Sequence, residues 1–210
     1  FKVWKPEITS FIENYTGKKA FIDGDINFSL YPSPQIIIEE ISIFEDQEDK
    51  DLIFFSSEKI MAKVSLFSLL KGQLHVDKVV IENINLNLIN LRNEDPNWVF
   101  KRLEEDNIDI LDKSINFPKI KIKQYEIIDA SVNINNNNSL LKFDIIDLEI
   151  DAVNNFNTFK GNILFNNIDF SLIGSLNSNN EILDLLLTLN NEDLKIGLDG
   201  PVQYSNSFPN

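Results

Sequence analysis

Few side chains in this sequence could do chemistry. Its 210 residues include 33 Asp and Glu, 19 Lys and Arg, one histidine and no cysteine. Without cysteine there are no disulfides, thiol nucleophiles or zinc–thiolate sites. With His75 alone there is no histidine-pair metal site, and little from which to build a hydrolytic triad. Carboxylates remain. Asp23-Gly24-Asp25 is a carboxylate pair, but glycine in a strand usually marks a bulge or turn. Glu45–Asp51 (EDQEDKD) lacks the alternating ligands and turn glycine of a calcium loop, and reads as a solvated loop. Glu39, Glu82, Asp129 and Asp147 recur at the same place in a weak repeat, which suits a strand-end or turn role better than catalysis. His75 reads as a surface residue. No Gly-x-Ser-x-Gly, phosphate loop, dinucleotide fingerprint or His-Glu-x-x-His is present. The expectation is a protein that is not an enzyme, with no catalytic residue, metal site or cofactor.

The elements that would position any site are mostly strands. Pro6 suits a first helical turn and Gly17 a helix end. Between them Ile8, Phe11, Ile12 and Tyr15 fall on one helical face, which predicts an amphipathic helix plugging a β core or resting on a membrane. The period then changes to two. Ile22, Ile26, Phe28 and Leu30 share a face, and Gln35–Phe44 and Leu52–Ser65 read as further strands. Leu66–Lys71 reads as a helical turn closed by Gly72. Gln73–Leu91 is the longest β signal, with Ile84, Leu86 and Leu88 alternating against Asn83, Asn85 and Asn87. Asp95, Pro96, Trp98, Val99 and Leu103 predict a short helix. Residues 104–117 are acidic and irregular, a linker between regions 1–103 and 118–210.

From Pro118 onward alternation dominates. Val132 and Ile134 oppose Asn133; Ile146, Leu148 and Ile150 oppose Asp147, Glu149 and Asp151; Leu183, Leu185, Leu187 and Leu189 form a last row. Such strands, separated by Asn-rich turns, predict an antiparallel meander with one apolar and one polar face. Ile38-Glu-Glu-Ile-Ser-Ile43 matches Ile81-Glu-Asn-Ile-Asn-Leu86. Ile128–Ile134 and Ile146–Asp151 are looser copies, so the sheet should be elongated.

The formal charge of −14 argues against nucleic acid and against anionic headgroups as electrostatic partners. No stretch reaches the ~20 apolar residues that span a bilayer. A one-sided sheet must still bury its apolar face. It can pack against a second sheet, close into a barrel, or curl into a gutter filled by something else. Acyl chains suit a gutter without fixed polar contacts.

Several segments resemble the start of AsmA-family proteins, in the family's order. They are Lys5-Pro-Glu-Ile8, Tyr15-Thr-Gly-Lys18, Ile22-Asp-Gly-Asp25, Phe28-Ser-Leu-Tyr-Pro-Ser-Pro34, Ile41-Ser-Ile43, Lys63-Val-Ser-Leu66, Leu69-Leu-Lys-Gly72, Val79-Val-Ile-Glu-Asn83 and Asn97-Trp-Val-Phe100. They cover roughly the first hundred residues; beyond Pro118 only the generic alternating repeat is similar. The resemblance implies a bacterial protein anchored in the inner membrane by an N-terminal helix preceding Phe1, with the rest in the periplasm. It also implies an elongated β-groove linked to outer-membrane assembly and phospholipid movement between the membranes. A dozen strands at ~4.8 Å each reach only about 60 Å, short for a bridge across the periplasm, so the chain is expected to be a fragment or to work with partners.

The resulting expectation is a mainly β protein: an elongated, curled antiparallel sheet with an N-terminal amphipathic helix and one or two short helices. It would take part in outer-membrane biogenesis by shielding phospholipid acyl chains during inter-membrane transfer, at ~0.8 kcal/mol per buried methylene. The expected lining is Ile26, Phe28 and Leu30; Ile84, Leu86 and Leu88; Val132 and Ile134; and Leu185 and Leu187. The alternative is a non-transporting assembly factor, or a regulator of outer-membrane protein insertion, acting on an outer-membrane or periplasmic protein by strand addition.

Overall fold

A computed structural model describes residues 4–31, 33–45, 52–65, 75–90, 95–100, 122–136, 139–153, 156–179 and 182–203. The charged loop at 46–51, the helical turn at 66–71 and the linker at 104–117 lie outside the described residues.

Helix α1 spans Trp4–Thr16. Pro6 lies in its first turn. Gly17 ends it at φ 71° and donates its N–H to the Glu13 carbonyl at 2.8 Å, a left-handed termination that glycine adopts without penalty. Eleven strands follow: β1 (Lys19–Ile22), β2 (Ile26–Ser29), β3 (Gln35–Phe44), β4 (Ile53–Val64), β5 (Val76–Asn90), β6 (Ile122–Asn136), β7 (Ser139–Val153), β8 (Phe156–Phe165), β9 (Ile168–Asn179), β10 (Ile182–Asn190) and β11 (Lys195–Gln203).

All eleven belong to one sheet, ordered β1-β3-β4-β5-β6-β7-β8-β9-β10-β11, with β2 also on β3. β1 pairs with Ile41–Phe44 and β2 with Gln35–Ile38, so the two share one edge end to end. Asp23-Gly24-Asp25 is the connection between them. A Cβ on Gly24 would lie 2.7 Å from the Glu39 backbone, so this close approach requires glycine.

One pairing departs from the expected antiparallel meander: β5 and β6 are parallel. The sheet is therefore mixed. A parallel pair needs a long crossover, and residues 91–121 provide one. The order does not return on itself, so the sheet is open. Extended backbone contact runs only between ladder neighbours and between α1 and β1. Among the described residues, then, no second sheet lies over the first.

The helix expected from Asp95 is also corrected. Its described part, 95–100, is a turn, with Val99 N–H donating to the Pro96 carbonyl at 2.9 Å. Asn97 decides this, because β5 offers it better partners than a helix would. Its backbone N–H donates to the Ile89 carbonyl (3.0 Å), its Oδ1 accepts from Ile89 N–H (2.9 Å), and its Nδ2 donates to the Asn87 carbonyl (2.9 Å) and Glu45 Oε2 (2.8 Å). A buried amide with these bonds is fully satisfied.

The weak repeat has a structural cause. Glu40, Asn83 and Asp129 have left-handed backbones, at φ 52°, 53° and 55°. The registers place all three on one line across β3, β5 and β6, the strands that run the same way. Asp129 thus aligns with Glu40 and Asn83, not with Glu39 and Glu82 as the sequence alignment had it. Asn and Asp tolerate this conformation because short polar side chains bond locally. On the intervening strand β4, Lys59 N–H donates to Ser57 Oγ at 3.2 Å and Ser57 Oγ donates to the Glu82 carbonyl at 2.8 Å. The line continues into β7 at Ile146, which is skipped where Ile145 and Asp147 pair with the adjacent Ile163 and Asn162 of β8. Each kink resets the side-chain alternation by one residue, so apolar residues on both sides of it keep to the same face.

Candidate functional site: the apolar face of the sheet

With the reset included, the registers stack apolar residues into rows across the whole sheet. One row reads Phe28, Ile36, Ala62, Val79, Tyr125, Ile150, Phe159, Gly174, Leu187, Leu198. The next reads Ile26, Ile38, Ile60, Ile81, Ile127, Leu148, Gly161, Leu172, Leu189, Ile196. Beyond the kink, Ile22, Ile41, Ser57, Ile84, Ala130, Ile145, Ile163 and Phe170 continue the face. Ten strands at about 4.8 Å make a strip roughly 45 Å long, and at about 3.3 Å per residue the face covers on the order of 1,000 Å².

The opposite face is largely polar and pairs across strands. Lys59 bridges Glu82 at 3.2 Å, Lys78 bridges Glu126 at 2.6 Å, and Lys160 bridges Glu149 at 2.8 Å. Asn133 Nδ2 donates to Asn87 Oδ1 at 3.0 Å. Lys160, by hydrogen bond and by charge, holds the Glu149 carboxyl below its ordinary range, and Glu149 in turn raises the Lys160 ammonium. Ile173 and Leu186 interrupt this face and are exposed.

Among the described residues, α1 and the Asn97 turn cover one end of the apolar face, and Ala130, Val132, Ile163 and Phe170 farther along are buried as well. Ile8 and Ile12 of α1 pack on Ile22, Ile26 and Ile41, and Ile12 reaches Ala20, Ile43 and Phe54. Trp98, held by the Asn97 turn, packs against the same Ala20, Ile43 and Phe54 cluster, as do Phe55, Leu86 and Leu88. Phe54 meets Phe100 edge-on at 5.9 Å, and Lys18 Nζ lies 5.0 Å from the Phe54 ring centre. The amphipathic helix is thus present, but its apolar side is narrower than the sequence suggests. Phe11 and Tyr15 stack on each other at 6.3 Å and face outward, about half exposed. Toward β11 the cover ends: Ile196 is 39% and Leu198 54% exposed. No described side chain is completely shut off from solvent.

Most of the expected lining residues share this face. Ile84, Leu86 and Leu88 stand beside Ala130, Val132 and Ile134, and Leu185 and Leu187 lie on β10 beside Leu176 and Gly174. Ile26 is buried beneath α1, while Phe28 sits at the sheet edge and is exposed. Leu30 falls beyond the end of β2 and belongs to no strand. Ile146, expected in a row with Leu148 and Ile150, is displaced by the kink and exposed. The sequence reading passed over Tyr125, Phe159, Leu172 and the whole of β11. The Lys-Ile-Gly-Leu run at Lys195–Leu198 carries the alternating signal that could have found that strand.

Among the described residues no three Asp, Glu or His side chains are grouped to hold a metal ion. His75 lies half-buried before β5, its carbonyl accepting from Ser65 N–H at 2.9 Å. No described helix is long and apolar enough to cross a membrane.

Neither the curated proteins nor the solved structures compared with this chain include a match. The sequence model of the AsmA family matches residues 2–193, running from α1 through ten strands and past the hundred or so residues that carry the motif resemblance. One open sheet built of repeating one-sided strands, with a sequence that fits the family almost end to end, makes this chain a member of the AsmA family.

Proposed function

We propose that the chain holds lipid acyl chains against its apolar face. In this reading it is a periplasmic, inner-membrane-anchored β-groove protein of outer-membrane biogenesis that shields phospholipid during inter-membrane transfer. One observation carries the proposal: the apolar rows run unbroken over ten strands, and no layer covers them beyond α1 and the Asn97 turn among the described residues. Exposed apolar patches above a few hundred Å² are rare unless they bind something. Rows without polar anchors suit a ligand that must slide, and membership of the AsmA family supports a role in the bacterial envelope.

The test is native mass spectrometry of the chain after exposure to phosphatidylethanolamine and phosphatidylglycerol vesicles. Phospholipid should be retained at fixed stoichiometry, and Leu187→Asp should release it while the strand signal in circular dichroism stays unchanged. Lipid-free wild-type protein would sink the proposal. The outer edge of β11, which has no ladder partner among the described residues, favours a second reading, in which the chain acts as an assembly factor by strand addition to a protein partner. That reading predicts a lipid-free face and a co-purifying protein.

A further inference from the structure

We infer that α1 is a fixed stopper. It closes the apolar face at the β1–β3 end, so bound acyl chains lie over the β10–β11 end and do not pass beneath the helix. This rests on the lipid reading above and adds where the lipid sits.

Two observations set α1 apart from a mobile lid. First, it is tied down near both ends to the same short stretch of chain. Lys5 Nζ donates to the carbonyls of Ile22 and Asp23, at 3.2 and 3.4 Å, and to that of Gly24. At the other end Glu13 accepts from Lys19 Nζ at 3.1 Å and from Ala20 N–H at 3.3 Å. Swinging the helix out would break both ties and uncover Ile22, Ile26 and Ile41 together. Second, burial changes with position along the strip. Ile41, behind the helix, is 3% exposed and Phe170 on β9 is still buried, while Ile196 and Leu198 on β11 are 39% and 54% exposed. The space behind α1 is filled by the protein's own side chains, and the space over β11 is not.

The open part has room for a whole chain. β10 and β11, of nine residues each, run roughly 30 Å at about 3.3 Å per residue, more than the ~15 Å half-thickness of a bilayer's hydrocarbon core. With one end sealed, lipid enters and leaves over the long side or at the β11 edge.

The absence of native cysteine makes single-site labelling unambiguous. A bimane label would be placed at Leu187→Cys or Leu198→Cys in the open part, and at Ile38→Cys behind α1. Ile38 is half-buried, so a label there need not displace the core. The labelled chains are mixed with phosphatidylglycerol–phosphatidylethanolamine vesicles that carry a phosphatidylcholine dibrominated in its acyl chains, which quenches only on contact. Fluorescence should fall at Leu187 and Leu198 and hold at Ile38. A fall at Ile38 as large as at Leu187 would overturn the stopper and leave the lipid reading standing. No fall at any position would overturn the lipid reading, and the stopper with it.

Discussion

The two ends of the sheet are written in the same sequence pattern and packed differently. In β3, Ile41 and Ile43 alternate with Ser42 and are buried, at 3% and 9% exposure. In β11, Ile196 and Leu198 alternate with Gly197 and Asp199 and stay exposed. The difference lies in what stands opposite: α1 above β3, and nothing described above β11. Alternation makes a sheet one-sided; it does not supply the other layer. An end that carries its own layer is structural, and an end without one is available for binding.

The comparison can be broken most directly by truncating one side chain at each end. Ile41→Ala should cost about 2–5 kcal/mol, because it opens a cavity under α1. Leu198→Ala should stay within about 0.5 kcal/mol. Urea melts of both variants measure this, and equal losses would mean that the β11 end is covered in solution.

Glycines sharpen the contrast between the later strands and β11. A Cβ at Gly161 would run into the Asp147 carbonyl oxygen and lie 2.9 Å from Leu148 Cα, whereas one at Gly197 meets nothing within 4 Å. Gly161→Ala should therefore cost about 1–3 kcal/mol by forcing β7 and β8 apart. Gly197→Ala should be neutral or stabilise by a few tenths of a kcal/mol. A harmless Gly161→Ala would show that the β7–β8 approach is looser than the structure has it.

The kink line gives a smaller effect. Asn83→Val puts a branched side chain at φ 53° and should lower stability by about 1–2 kcal/mol, while Asn83→Gly should not. If both behave alike in thermal melts, the left-handed turn does not set the alternation.

The smallest effect is on the polar face, at Glu149 and Lys160. The Glu149 carboxyl sits below its ordinary 4.5, so its contribution is present above that pH and is lost as pH falls through the lowered value. Lys160 sits above its ordinary 10.5, so its contribution holds below that pH and is lost as pH rises through the raised value. Both groups are solvent-facing, so the slope should be slight and should fade with salt. Comparing wild type with Glu149→Gln in acid melts at two ionic strengths measures it, and an unchanged acid slope would remove the pair from the stability account.

Much of the fold was legible because periodicity is a local property. Gln35–Phe44 was read as a strand to the residue, and the helix ends followed from Pro6 and Gly17. The strict alternation at Ile84, Leu86 and Leu88 placed them on a common face with Val132 and Ile134. Errors arose where one residue's conformation depended on a distant partner. Ile146 broke the alternation because a kink crosses from neighbouring strands. Residues 95–100 formed a turn because β5 offered Asn97 three hydrogen bonds and Glu45 a fourth. The parallel β5–β6 pair could not be read at all, since strand direction is settled by a crossover and leaves no mark in either strand.

A mainly β protein of one-sided strands behind an N-terminal helix can be read from the residues alone, because composition and period need no partner. The assembled sheet adds that the apolar rows join across ten strands, that α1 lies over one end of them, and that β11 at the other end stays exposed. Those are facts about which distant segments meet, and they depend on register, strand direction and kinks whose energies come from the neighbouring strands.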